Sequence, residues 1–313
     1  MGGVLLGIRS RRGAYVALAI LTLIWGSNWL VMKTALEQAH PVVLNLQRTW
    51  LAVALLFGVI LWRRRLRVPR AWWPVVVTGF FQTTLNFGAT TMALAEGGAG
   101  RTSVLVFTMP FWTLLIARFV LHERVRGGMW TAVALAFAGV LLVVEPWRWE
   151  GQLASKLWAV ASGFGWAAGT VASKHFQRKH DLDMLEFMAW QMLVGVLPLT
   201  LLPLAFDYPA TQWSAGYVAL VTWTAAVSTA TGFLLWIAIL RYLPAGTASL
   251  NIFAVPVIAL LLSMTVLGER LTASEWWGIA AIAAGIATLT VVTLRATRRG
   301  DAAVPPPTPL EGG

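Results

Sequence analysis

Polar side chains recur at helical spacing within a long apolar segment in the first third of the chain. Gln82, Asn86 and Thr90 are each four residues apart, so they share one face if the segment is a helix. Amide and hydroxyl groups in such a segment are costly unless they bond to another helix or line a polar path. Either interpretation fits each residue alone, but three groups in register favour the lining of a path for a solute.

Other polar groups are scattered through the apolar segments, and each of them could contact a solute. Arg48 is the cation furthest from the end of its segment, and a guanidinium at that depth could bind a carboxylate. Two other interpretations of Arg48 are open: it could reach the surface along its own aliphatic stem, or it could pair with Glu37. The remaining polar candidates for substrate binding are Asn28, Gln47, Gln191, Ser228 and Asn251.

Tryptophan is abundant, at 18 residues, and most copies are expected at membrane interfaces. Trp25, Trp112 and Trp166 lie deeper in their segments, and Trp236 is the residue that the internal repeat described below pairs with Thr90. Indole rings suit apolar or aromatic solutes through stacking and cations through their π faces. These four rings are therefore candidates for the wall of a substrate site, with core packing as the alternative for each ring alone.

No combination of residues predicts catalysis or metal binding. The chain has no cysteine, which excludes disulfides, iron–sulfur clusters and a thiol nucleophile. It lacks the His-Glu-x-x-His, Gly-x-Ser-x-Gly and Walker A motifs, so neither catalytic residues, metal ligands, cofactors nor ATP-driven transport are expected. The Asp, Glu and His residues fall at segment ends, in loops or in the tail, away from the midplane where the proton relays of pumps lie.

These candidates must be positioned by helices that cross a membrane. The chain is 58% hydrophobic and 12% charged, with a mean hydropathy of +0.70, whereas a soluble domain is about 25% charged. Apolar blocks of about 20 residues recur, each long enough to cross the hydrocarbon core as a helix. The sequence predicts an all-α polytopic protein of the lipid bilayer, with ten transmembrane helices at 14–34, 42–62, 72–94, 102–121, 128–145, 153–174, 184–205, 215–240, 246–267 and 275–295.

The net charge of +11 is expected to reflect cytoplasmic loops rather than a nucleic-acid partner. Lys and Arg collect in the cytoplasmic loops of membrane proteins. Most of the 24 copies here fall on the side of the amino terminus when ten spans are counted. Both termini are therefore predicted to be cytoplasmic, with residues 1–13 before the first helix and residues 296–313, rich in Pro and Gly, as a disordered tail.

The chain contains an internal repeat. Residues 103–125 and 249–271 align without a gap at an offset of 146 residues, which pairs Pro110 with Pro256. The repeating unit contains five helices, and because five is odd the halves must have opposite orientations. Inverted repeats are typical of secondary transporters, whose substrate sites lie near the midplane between the repeats. The two units are predicted at residues 14–145 and 146–295.

The aligned stretches share a central proline and end on a Glu-Arg pair. Proline removes a backbone hydrogen bond and bends a helix, so Pro110 and Pro256 are predicted hinges of two gating helices beside the substrate path. The Glu-Arg pairs at 123–124 and 269–270 are expected to cap helix ends or to form ion pairs rather than to bind the substrate, because they fall at opposite membrane faces.

The sequence resembles a known transporter family in the segments that open the two halves. These read "IWGSNWLVMK" at 24–33 and "FGWAAGTVASK" at 164–174, and they accompany the two repeated proline stretches. In these features the chain resembles the EamA-type branch of the drug/metabolite transporter superfamily, and is most similar to the bacterial aromatic amino-acid exporters. The resemblance implies ten helices in inverted five-helix repeats, residence in the bacterial inner membrane and export of small metabolites.

Together these features predict a secondary transporter that exports amino acids, aromatic and other neutral ones, by alternating access. The lack of midplane carboxylates favours a uniporter or facilitator without proton coupling. An exporter of the same fold for another small metabolite or an amphipathic drug is the alternative, and an intramembrane enzyme or a scramblase is a more remote one. The site is expected near the midplane, among spans 1, 3, 4, 6, 8 and 9.

Overall fold

The computed structural model describes residues 8, 10–64, 66–122, 127–147, 153–177, 183–239, 242–243 and 254–298. Within these residues the regular structure is helical, and no strand occurs. Adjoining helical segments are numbered together as one helix. The helices are α1 (Arg11–Ala35), α2 (Pro41–Trp62), α3 (72–96), α4 (Ala99–Val120), α5 (Gly127–Val144), α6 (Leu153–Gln177), α7 (Met184–Ala205), α8 (Ala215–Ile239), α9 (Ala254–Val266) and α10 (Ala273–Arg298).

Seven of the described helices are long and apolar enough to cross a membrane: α1, α2, α4, α5, α7, α8 and the apolar part of α10. The prediction of an all-α membrane protein is confirmed at this level. Helices α3, α6 and α9 lie at the other predicted positions, and the described part of α9 is shorter, at 13 residues. The total of ten spans, the domain boundaries and the cytoplasmic termini stay predictions.

Polar caps set where several helices begin. The Ser10 hydroxyl accepts a hydrogen bond from the Gly13 amide at 3.1 Å at the start of α1, and Asp183 does the same for the Leu185 amide at 2.9 Å at the start of α7. Such caps satisfy amide groups that have no partner within the first turn. Proline at the first position of α2 fits for the same reason, because its missing N–H is not needed there.

The helices of the two halves make matching contacts. Helix α1 packs on α8 and α9, and α6, its predicted counterpart, packs on α3 and α4. Helices α5 and α10 pack along each other, and glycines allow their backbones to approach closely. A Cβ atom at Gly139 would lie 2.5 Å from the Gly278 carbonyl oxygen, and one at Gly285 would lie 2.8 Å from the Ala132 carbonyl oxygen. The offset of 146 residues relates these two contacts, so they support the predicted repeat.

Helices α3 and α8 each contain a stretch of π-helix, Phe80–Leu85 and Trp223–Thr231 respectively. The hydropathy pattern does not predict these stretches. In α8 the Thr229 hydroxyl donates to the Thr224 carbonyl at 2.8 Å, five residues earlier, which fits the wider turn. The repeat offset places the first stretch inside the second. The π-stretch of α3 packs on α6 and α7, and that of α8 packs on α1 and α2.

Helix α4 is interrupted beside Pro110. Its segments are Ala99–Val106 and Met109–Val120, and Pro110 lies in the first turn of the second segment. Proline fits there because the first helical turn does not need its N–H. Pro256 lies in the first turn of the described part of α9, and residues 244–253 before it are outside the described residues. The hinge and gating roles of both prolines stay predictions.

The two halves contact each other at the end of the molecule where α1 is followed by α2, called here the α1–α2 end. Glu269, which follows α9, accepts hydrogen bonds from the Ala99 amide at 2.5 Å and the Gly100 amide at 3.3 Å, so it caps α4. A helix N-terminus favours a carboxylate in this position. The expected capping role is therefore seen for Glu269, although it caps a helix of the other half, while the pair at 123–124 lies outside the described residues.

A buried ionic cluster lies at the same end. Glu275, which is 1% exposed, pairs with Arg101 at 3.0 Å and with Lys156 at 3.8 Å. Lys156 also lies 3.8 Å from Glu145. Because these residues come from α4, α6, α10 and the end of α5, the cluster connects both halves.

Candidate functional site

Arg48 is a buried cation in the described structure. It is 4% exposed and lies about 10 Å along α2 from its first residue. Of the ion pairs between described residues, none involves Arg48. Both alternative interpretations of this residue are therefore wrong: the guanidinium does not reach the surface, and Glu37 does not neutralise it.

The guanidinium of Arg48 is held by neutral groups. Its Nε donates to Asn45 Oδ1 at 3.2 Å, and its Nη1 contacts the sulfur of Met32 at 3.0 Å. The Phe87 ring lies 4.3 Å from the central guanidinium carbon, so its π face stabilises the charge. Within the described residues these contacts leave Nη2 without a hydrogen bond, and a guanidinium has five N–H donors. A carboxylate from outside the chain would neutralise this group.

Asn28 of α1 lies beside the same methionine. Its amide nitrogen contacts the Met32 sulfur at 3.2 Å, and its carbonyl oxygen is buried without a hydrogen-bond partner in the described structure. Asn28 is seven residues before the end of α1 and Arg48 seven residues after the start of α2. The two side chains therefore lie at the same depth from the α1–α2 end.

Three of the four candidate tryptophans meet in one aromatic cluster, with Phe233 at its centre. The Trp166 ring stacks on Phe233, with 6.2 Å between the ring centroids and an interplanar angle of 8°. Trp25 and Phe233 pack in a T-shaped arrangement with 6.4 Å between the ring centroids. The centroids of Trp25 and Trp236 are 6.1 Å apart. The Trp25 indole also donates to the Ser228 carbonyl at 3.0 Å. The cluster thus joins α1, α6 and α8, and Trp25 and Trp166 lie near the middle of their helices.

Two phenylalanines of this region, Phe87 and Phe233, were not among the candidates predicted from the sequence. Both are 8% exposed, and they belong to one buried apolar cluster with Trp166 packed against it. The repeat offset of 146 residues pairs them, so the register that related Pro110 to Pro256 also contained this signal. Phe87 supports Arg48 from α3, whereas Phe233 supports the indole rings from α8.

The polar face of α3 is directed at α6. Gln82 donates to the Thr170 hydroxyl at 3.3 Å, and Asn86 donates to the Ser162 hydroxyl at 2.8 Å. Thr90 lies 2.7 Å from the same Ser162 oxygen. These are hydrogen bonds between helices, the alternative to a cavity lining, and they join α3 of the first half to α6 of the second. A role of the three residues in substrate contact stays a prediction.

Two further candidates, Gln47 and Gln191, also bond to neighbouring helices or loops. Gln47 donates to the Thr211 hydroxyl at 3.3 Å, and its carbonyl accepts from the Tyr217 hydroxyl. Gln191 is 2% exposed and accepts from the Thr83 hydroxyl in the π-stretch of α3 at 3.1 Å. Both amides therefore connect elements of different halves.

The last candidates lie apart from these groups or outside the described structure. The Trp112 ring of α4 packs edge to face with Phe137 of α5 and Phe164 of α6, with 4.8 Å and 5.7 Å between the ring centroids respectively. It is therefore not part of the aromatic cluster around Phe233. Asn251 lies outside the described residues.

Comparisons with known proteins identify the family. The model of the EamA-like transporter family matches residues 12–145 and 153–291. An uncharacterized transporter, YoaV, of Bacillus subtilis is 26% identical over 272 residues, with 85% of this chain and 92% of the relative covered. Proteins named probable amino-acid metabolite efflux pump are 28% identical in Salmonella typhimurium and 27% identical in Escherichia coli, with 88% of this chain and 94% of each relative covered.

A solved structure shares the fold. A crystal structure of a protein matches with a TM-score of 0.63 and 20% sequence identity, and the match covers 92% of this chain and all of the other. Together with the apolar helices, the family match confirms the resemblance found in the sequence. The chain therefore belongs to the EamA-like transporter family and is a multi-pass membrane transporter.

Proposed function

We propose that the protein exports amino acids, aromatic and other neutral ones, across the bacterial inner membrane by alternating access. The observation that carries the proposal is Arg48, a buried guanidinium for which the described residues supply no carboxylate. A buried charge is costly unless it is paired, and the carboxylate of a substrate would provide the missing partner. The names of the two efflux pumps support the same substrate class.

The aromatic cluster supports the preference for aromatic and other neutral side chains. Trp25, Trp166, Phe233 and Trp236 present faces and edges of rings rather than charges. Aromatic pairs contribute about 0.5–1.5 kcal/mol beyond the burial of their area. An acidic side chain would lose its hydration among these rings without gaining a partner.

We infer that transport is uniport, without proton coupling. The buried carboxylates among the described residues are Glu145 and Glu275, and both lie at the α1–α2 end in ion pairs with Lys156. A proton relay would require such groups at the midplane. In sealed liposomes without a substrate gradient, a pH gradient should therefore not drive net uptake, and concentrative uptake under that gradient would contradict uniport.

The proposed framework is ten spans in two inverted units, residues 14–145 and 146–295, with both termini in the cytoplasm. The matching contacts of α1 and α6 and the matching π-stretches of α3 and α8 support two equivalent units. The substrate path would then run between α1, α3, α4, α6, α8 and α9. It would pass Arg48 of the neighbouring α2 and the aromatic cluster.

The proposal is tested by transport in proteoliposomes. Purified protein in liposomes preloaded with unlabelled tryptophan, phenylalanine or leucine should take up the same labelled amino acid by counterflow, whereas protein-free liposomes should not. If none of these amino acids moves but an amphipathic drug or another metabolite does, the alternative function is correct. If the labelled compound is recovered chemically changed, the protein is an enzyme instead.

A further inference from the structure

The side-chain amide of Asn28 has an oxygen that the described residues leave without a partner. Its oxygen is buried and has no hydrogen-bond donor within the described residues. A buried acceptor without a hydrogen bond is costly, and most buried polar groups in proteins are paired. Asn28 therefore provides an acceptor at the depth where Arg48 provides unused donors.

Met32 holds these two side chains together. Its sulfur contacts Asn28 at 3.2 Å and Arg48 at 3.0 Å, so both polar groups lie within reach of one small head group. A thioether is a weak acceptor, and an unbranched methionine side chain adapts readily. A carboxylate oxygen would replace the sulfur as the partner of Arg48 with a much stronger, charge-assisted hydrogen bond.

We propose that Arg48 and Asn28 together bind the head group of a free α-amino acid. Arg48 binds the carboxylate, and the Asn28 carbonyl accepts a hydrogen bond from the α-ammonium group. The inference rests on the proposed amino-acid transport and adds how the head group is recognised. A neutral amide, rather than a carboxylate of the protein, binds the ammonium group. The carboxylate of the substrate therefore remains the counter-ion of Arg48.

The side chain of the substrate would extend towards the aromatic cluster. Trp25 is three residues before Asn28 and therefore lies about one turn away on the same side of α1. Phe87, beneath Arg48, belongs to the same buried apolar cluster as Phe233. The charged head group and the apolar side chain would thus meet different parts of one continuous site.

This arrangement predicts which compounds the transporter rejects. A carboxylate-free amine would place a second cation beside Arg48, where like charges repel. An ammonium-free acid would pair with Arg48 but leave the Asn28 carbonyl unsatisfied. Recognition of both groups therefore separates amino acids from cationic drugs as well as from simple acids.

The first experiment needs no variant. Uptake of labelled tryptophan into proteoliposomes is measured with an excess of unlabelled tryptophan, tryptamine, which lacks the carboxylate, or indole-3-propionate, which lacks the ammonium group. Tryptophan should compete at least about tenfold better than either analogue, since a hydrogen bond to a charged group contributes about 1.5–3 kcal/mol. Equal competition by either analogue would overturn the head-group assignment while amino-acid export stands.

The second experiment assigns each charge to its residue. Asn28→Leu should raise the KM for tryptophan about tenfold or more and leave inhibition by indole-3-propionate unchanged, whereas Arg48→Gln should weaken both. Ser27→Ala and Arg118→Gln are the matched controls, because Ser27 bonds to its own helix at Ile24 and Arg118 lies over Trp130.

The outcomes separate the two proposals. If the unaltered protein does not transport tryptophan or any other neutral amino acid, the proposed function fails. If it does, but Asn28→Leu behaves like Ser27→Ala, the role of Asn28 is wrong. Size-exclusion profiles and melting temperatures of the variants must match those of the unaltered protein, and the analogue competition decides the question if they do not.

Discussion

At the scale of single residues, Arg48 stands out because no described residue forms an ion pair with it. The ionic groups at the α1–α2 end neutralise one another, as Arg101 and Lys156 do with Glu275. Arg48 instead meets an amide, a sulfur and a ring. A residue that served only to hold helices together would be cheaper as an apolar side chain of similar size.

Replacement of Arg48 by lysine should separate charge from shape. Lys keeps the charge but has one ammonium group in place of the planar fork, and it does not stack on Phe87 in the same way. We expect kcat/KM for tryptophan to fall about tenfold or more in Arg48→Lys, because a second charge-assisted hydrogen bond is lost. Initial rates of counterflow measure this change. Arg118→Lys should transport normally, and equal activity of both variants would show that only the charge at position 48 matters.

The sequence predicted which residues are polar and deep, but not which contacts they make. Arg48 was found because a cation inside an apolar segment is visible in any one-dimensional pattern. Its contacts with Met32 and Phe87 were not predictable, because they depend on how α1, α2 and α3 pack in three dimensions. The direction of the Asn86 amide towards Ser162 was missed for the same reason.

At the scale of elements, helix positions followed hydropathy, whereas irregularities within helices did not. Each span must be predominantly apolar along its length, so the predicted 42–62 and the observed Pro41–Trp62 nearly coincide. The π-stretches at Phe80–Leu85 and Trp223–Thr231 change the pairing of backbone groups and leave the apolar composition unchanged. The interruption of α4 was predictable because proline itself marks it.

The interruption of α4 makes a testable prediction about Pro110. Pro110→Ala restores a backbone N–H and removes the ring, so the two segments of α4 can join into a more continuous helix. We expect the transport rate to fall severalfold while the amount of protein in the membrane is unchanged. Rate and amount are compared by counterflow and by immunoblotting, with Pro256→Ala as the matched variant in the other half. Equal loss of rate and amount would argue against a gating role.

The close approach of α5 and α10 predicts which glycines tolerate a side chain. A Cβ atom at Gly139 would lie 2.5 Å from the Gly278 carbonyl oxygen, whereas one at Gly58 of α2 would meet nothing within 4 Å. We expect Gly139→Ala to destabilise the protein by about 1–3 kcal/mol through overpacking. Gly58→Ala should be neutral or stabilising by up to about 1 kcal/mol, since alanine favours helix. Melting temperatures in detergent test both, and a stable Gly139→Ala would mean that the helices can separate.

At the scale of the whole molecule, both halves contribute to the α1–α2 end. Glu269 caps a helix of the first half, and the Gln212 amide donates to the Gln38 carbonyl at 2.8 Å. Lys33 donates to the Leu94 carbonyl at 2.6 Å and so caps α3. These contacts hold the α1–α2 end together in this conformation. Alternating access would require them to separate when the substrate path opens at this end.

The orientation of the molecule can be tested directly because the chain has no cysteine. Ala210→Cys places a thiol in an exposed loop at the α1–α2 end, and Val68→Cys places one in an exposed loop at the opposite end. Because basic residues favour the cytoplasm, we expect a membrane-impermeant maleimide to label the first variant in intact cells. The second should be labelled only after the membrane is opened. The reverse pattern would place the termini outside.

The paired π-stretches also bear on the history of the protein. A turn of π-helix accommodates an extra backbone residue within a helix, and here it occurs at corresponding positions in α3 and α8. If the halves descend from one duplicated gene segment, the inserted residue was already present in the single five-helix ancestor. That ancestor would have placed a wide turn against the first helix of a second copy, as α3 now does with α6 and α8 with α1.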